Sequence, residues 1–123
     1  MSIIDIGANV GAASIFFSLK FPSAKVYGFE PLPDIWKHLD QNTKSFKNIQ
    51  AFPFGLLSTD CNLNFYSGIR SSVESSIVPH VGTSDKPVIA HFKKASTILE
   101  KLNIRNISIY ETTIRLDSVI SIC

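Results

Sequence analysis

What most narrows the folds open to this chain is a pair of glycines, Gly7 and Gly11, set between two apolar segments of different period. Ahead of the pair, Ser2-Ile3-Ile4-Asp5-Ile6 places isoleucines on both faces of an extended segment, the pattern of a parallel strand covered on both sides. Behind it, from Gly11 through Lys20, Ala12, Ile15, Phe16 and Leu19 fall at helical spacing and are read as the inward face; Pro22 stops the run. Lys25 to Glu30 is a second apolar run, closed by Pro31, which lacks a ladder donor.

The alternation continues. Asp34 is placed to cap a helix that turns Ile35, Trp36, Leu39 and Phe46 inward and runs to about Lys47 or somewhat short of it. Asn48 to Phe52 then reads as a third strand. Strand, helix, strand, helix, strand at these intervals implies right-handed crossovers and a parallel sheet ordered 3-2-1, half of a doubly wound α/β fold. Beyond Gly55 the pattern changes. Asn62 to Tyr66 alternates like a strand, and Ser67 to Ser76 is a polar loop. A helix is expected at Lys94 to Lys101, and Ile107 to Leu116 reads as one strand or a bent hairpin strand.

With 123 residues, 45% of them hydrophobic, the chain has room for one compact domain spanning 1–123. Twelve basic against ten acidic residues leave a charge of +2, and no Lys/Arg run tracks a phosphate backbone, so no nucleic-acid partner is expected. Cys61 and Cys123 lack metal or redox spacing; neither a disulfide framework nor zinc is expected, and a cytoplasmic setting follows. The first eleven residues carry no basic region, which argues against a signal peptide. Ala12 to Phe21 falls well short of the roughly 20 residues of a membrane span.

The loop from Asp5 to Gly11 is where a doubly wound sheet receives a nucleoside ligand, although two glycines also serve a tight turn that binds nothing. A dinucleotide fingerprint G-x-G-x-x-G/A needs its middle glycine for close approach of the pyrophosphate, and Asn9 stands there. Asp5 adds a carboxylate where a diphosphate would lie. Both features disfavour NAD. S-adenosylmethionine (SAM) has no phosphate and carries ammonium and sulfonium cations, which a carboxylate attracts. Glu30, nineteen positions after Gly11, stands near the separation of about 20 residues at which an acid meets ribose hydroxyls.

Ile4-Asp5-Ile6-Gly7-Ala8-Asn9-Val10-Gly11 resembles the D-I/V-G-A-N-x-G motif of FkbM-family methyltransferases, and Phe29-Glu30-Pro31 resembles that family's E-P signature. Leu39 to Asn42 is similar to its L-x-x-N, Gly55 to Ser58 to its adenine-side turn, and Thr113 to Val119 to its T-x-x-L-D segment. The resemblance implies a Rossmann-like, three-layer αβα methyltransferase fold, SAM as cofactor, and methyl transfer to a hydroxyl oxygen of a sugar or secondary metabolite. It implies that Gly7, Asn9 and Gly11 line the methionine side and that Asp5 bonds the loop or the methionine amino group. Glu30, followed by Pro31, would hold the ribose, and Gly55 and Leu56 would lie near the adenine. The family continues into a strand bearing K-x-D-x-E-G-x-E, whereas this sequence stops at Cys123 and starts four residues before Asp5. The expectation is a domain truncated at both ends, lacking the C-terminal half of its sheet and exposing an edge at the first strand.

Other residues carry less. His38, His80 and His91 are too scattered for a metal, and Trp36 is read as core rather than as an adenine platform. The serines between Ser71 and Ser76 read as a solvated linker. Asp85, Glu100, Glu111 and Asp117 are candidate bases by residue type alone, so no catalytic residue is assigned. Two alternatives stay open: a non-catalytic remnant or partner-binding fragment, and an NAD-dependent enzyme.

Overall fold

The computed structural model describes residues 1–65 and 87–112, the last four as backbone only. In chain order the elements are β1 (Ser2–Ile6), α1 (Ala12–Lys20), β2 (Lys25–Phe29), α2 (Pro33–Thr43), β3 (Ile49–Phe52), β4 (Gly55–Leu57), β5 (Cys61–Phe65), β6 (Val88–Lys94), α3 (Ala95–Lys101) and β7 (Ile109–Thr112). The protein is thus α/β, with one parallel and one mixed sheet.

The first sheet runs β3-β2-β1-β7, all parallel. Order 3-2-1 is as the sequence implied, but the edge expected to be open at β1 is closed. β7 pairs along it in the register Ile3 with Ile109 through Ile6 with Thr112. The second sheet runs β4-β6-β5, with β4 parallel and β5 antiparallel to β6. Val88–Lys94, where the sequence predicts no strand and places Lys94 in the helix, is its central strand. The two sheets meet beside Pro31, whose carbonyl accepts the His91 N–H at 3.4 Å. A Cβ on Gly55 would sit 3.2 Å from Pro31 and 2.6 Å from the Phe92 ring, so this junction tolerates only glycine without a shift.

Both faces of the parallel sheet are covered, as the isoleucines on both sides of β1 require. Ile4, Ile6, Tyr27 and Phe29 pack with Leu56 and with Ile98 of α3; Phe29 and Phe52 stack with centroids 5.0 Å apart. On the opposite face, Ile3, Val26 and Ile49 pack with Ile15 and Phe17 of α1 and with Phe46.

Two helices depart from the sequence reading. α2 starts at Pro33 with Leu32 in the capping position, and Asp34 lies inside the first turn. Proline suits the first helical residue because its missing N–H would be unpaired there anyway. On α1 the apolar residues read as inward include two that face out: Phe16 is 56% exposed and Leu19 68%, while Ser14 and Ser18 are buried. The serines win because polar partners wait beneath them. Ser14 Oγ donates to Asp5 and Ser18 Oγ to the side chain of Asn48, which in turn donates to the Ala24 carbonyl at 3.0 Å. A carboxyl held away from water is stabilised by donors, so the face of α1 that carries the hydroxyls turns toward it.

Cys61 is disulfide-bonded, against the expectation from spacing, which removes the cysteine argument for a cytoplasmic setting. Cys123, Ser67 to Ser76, His80, Asp85 and Thr113 to Val119 lie outside the described residues. No helix among the described residues is long and apolar enough to cross a membrane.

Candidate functional site

The strand-to-helix turn after β1 is built from three left-handed residues: Gly7 at φ 71°, Asn9 at φ 57° and Gly11 at φ 101°. Two of the three are glycine and the third is asparagine, the residue types that accept this conformation at least cost. Gly11 has a second constraint. A Cβ there would lie 3.1 Å from both Leu39 and Thr43 of α2, so the loop and that helix touch.

The amides of the turn are spent almost entirely within the protein. The N–H groups of Gly7 and Ala8 both donate to the Phe29 carbonyl, at 2.9 and 3.0 Å, and that of Gly11 donates to the Ala8 carbonyl at 3.0 Å. Asn9 N–H donates to Glu30 Oε1 at 2.9 Å, and Leu32 N–H to Glu30 Oε2 at 3.0 Å. Glu30 therefore ties the end of β2 to the glycine turn, a role that sequence spacing did not disclose. Each of its oxygens still has acceptor capacity. Burial pushes the Glu30 carboxyl above the ordinary carboxylate range, the amides of Leu32 and Asn9 pull it back in part, and nearby Asp5 adds to the rise.

Asp5 is 1% exposed and accepts from Ser14 Oγ at 2.5 Å. Room for Ser14 comes from β2, where a Cβ on Gly28 would lie 3.2 Å from that hydroxyl and 3.3 Å from Ala8 Cβ. Gly28 is beside Asp5 in the ladder. Its significance is invisible in a sequence reading that takes it as one residue of an apolar run.

The structure therefore brings Asp5, Gly7, Asn9, Gly11 and Glu30 together at the ends of β1 and β2. Pro31, buried, follows Glu30 and faces the second sheet. Gly55 and Leu56 belong to β4; Leu56 is 2% exposed, with its side chain in the core beside Ile4, Ile6 and Phe29 and its backbone in the ladder opposite Lys93 of β6. Trp36 is half-buried on α2 with its indole N–H buried and unpartnered. His38 and His91 are exposed, on α2 and β6, with the His91 ring beside Asn62 at 3.0 Å. Among the described residues no three His, Cys, Asp or Glu side chains gather as a metal site. A cleft of about 430 Å³ opens elsewhere, among Asp60, Asn62, Phe92, Lys93, Thr97 and Lys101, with no residue of the glycine turn in its wall.

Fold and turn together define an α/β protein with a glycine-lined strand-to-helix loop at the carboxyl end of a parallel sheet. Comparison with known proteins adds a chemical direction. Over 60 residues, 46% of this chain, it is 35% identical to Methyltransferase sdnD of Sordaria araneosa, and the match covers 23% of that protein. Over 83 residues, 60% of the chain, it is 29% identical to the AMB antimetabolite synthetase AmbE of Pseudomonas aeruginosa, covering 4% of it. The chain thus spans less than a quarter of the length of these curated relatives. No family model matches the chain, and no solved structure does.

Proposed function

We propose that this chain is the cofactor-binding part of a SAM-dependent methyltransferase of FkbM-like type, acting on a hydroxyl oxygen of a sugar or secondary metabolite. The observation that carries the reading is the left-handed Gly7-Asn9-Gly11 turn, laced through Asn9 to a buried Glu30, in a chain similar to a methyltransferase. In the Rossmann-like scheme the sheet β3-β2-β1-β7 belongs to one half of an αβα sandwich, within a single domain.

The residues present suit that cofactor. Glu30 keeps spare lone pairs for ribose hydroxyls, and the carboxylate of Asp5 beneath the turn, with a side chain at Asn9, disfavours a diphosphate. Bound SAM would supply an electrophilic methyl group. The protein's part is to hold and orient: Gly7, Asn9 and Gly11 line the methionine side, Glu30 and Pro31 the ribose side, and Gly55 and Leu56 the adenine side. Asp5 acts through the loop, since its carboxyl is buried against Ser14. Orienting the acceptor oxygen in line with the methyl group accounts for much of the rate in such a transfer, and no general base is assigned.

Calorimetric titration of the chain with SAM and S-adenosylhomocysteine tests this. Binding is expected, and Glu30→Ala is expected to weaken it by about tenfold or more, the loss of one charge-assisted hydrogen bond or two. A chain that binds neither compound overturns the reading.

A further inference from the structure

One amide of the glycine turn has no partner among the described residues. The N–H groups of Gly7, Ala8, Asn9 and Gly11 are all engaged, which leaves that of Val10. The peptide that follows it is held at both ends. Its N–H, on Gly11, donates to the Ala8 carbonyl at 3.0 Å, and its oxygen, on Val10, accepts from Asn42 Nδ2 of α2 at 2.8 Å. Asn42 lies one turn after Leu39 and beside Thr43, the two residues that meet Gly11. The same side of α2 therefore presses on the turn and bonds it.

We propose that Asn42 is a positioning residue: by fixing the Val10–Gly11 peptide it keeps the Val10 N–H turned toward the carboxylate of the cofactor's methionine moiety. The inference rests on the SAM reading above. Its chemistry follows from the donors: the Val10 N–H leads into the first-turn amides of α1, which no side chain caps, and amides at a helix start favour an anionic acceptor. The carboxylate is the one anionic group of SAM. Asn42 touches no ligand in this scheme; it acts through Val10.

Two ligands separate this from a general structural role. S-adenosylhomocysteine carries the amino-acid carboxylate, and 5′-methylthioadenosine lacks it while keeping the nucleoside. Asn42→Asp keeps the shape of the side chain and replaces the donor with an acceptor; Asn42→Ala removes both. Asn42 is exposed, so both variants are expected to fold. With ligands carried to millimolar concentration, both variants are expected to bind S-adenosylhomocysteine about tenfold more weakly than the unmodified chain. Their affinity for methylthioadenosine is expected to stay within about a factor of two. Unchanged binding of S-adenosylhomocysteine, or a parallel loss of both ligands, overturns the role of Asn42 and leaves the SAM reading standing. If the unmodified chain binds neither ligand, both fall.

Discussion

Helices α1 and α2 lie on the same face of the parallel sheet and obey different rules. α2 follows hydropathy: Leu39 is completely buried, Thr43 folds its hydroxyl back onto the Leu39 carbonyl at 2.7 Å, and the charged residues face water. α1 inverts it, burying Ser14 and Ser18 and exposing Phe16 and Leu19. The difference lies in what each helix covers. The buried face of α2 meets Gly11 through the hydrocarbon of Leu39 and the methyl group of Thr43. α1 rests on Asp5, and a buried carboxyl demands a donor from whatever lies above it. Local hydropathy orients a helix over an apolar floor, and a polar floor overrides it.

Substitutions can break or sharpen that contrast. The largest effect is expected from Leu39→Ala, which opens a cavity where a full side chain packs; a loss of about 2–5 kcal/mol should appear in urea unfolding. Ser14→Ala removes fewer atoms yet is expected to cost about 1–3 kcal/mol, because it withdraws a donor from a buried carboxyl. If it proved neutral, the polar account of α1 would fail. Phe16→Ser discards one of the two phenyl groups on α1 and is expected to stay within about 0.5 kcal/mol in the same assay, since that residue is more than half exposed.

The order β1-α1-β2-α2-β3 was legible in the sequence because each piece carries its own period and its own stop, such as Pro22 and Pro31. The glycine turn and Glu30 were legible for the same reason: residue type and spacing are local properties. What escaped depended on partners distant in the chain. β4 has three residues, too few for a period, and β6 is a strand because β4 and β5 flank it. The outward turn of Phe16 follows from a hydroxyl meeting Asp5 nine positions back, and the contact of Asn42 with Val10 bridges thirty-two positions. The meaning of Gly28 likewise emerges only when Ser14 and Ala8 arrive beside it.

The pairing of β7 with β1 has a consequence in time. Ile3 meets Ile109, so the second residue of the first strand waits for almost the last described stretch of chain. During synthesis β1 can join β2 early, but its other edge stays bare until residue 112 has left the ribosome. A contact of such sequence separation carries a larger loop-closure cost than the pairing of β1 with β2, so β7 is expected to join after β2. The turn that leaves β1 can thus take shape against β2 before the strand on its other side arrives.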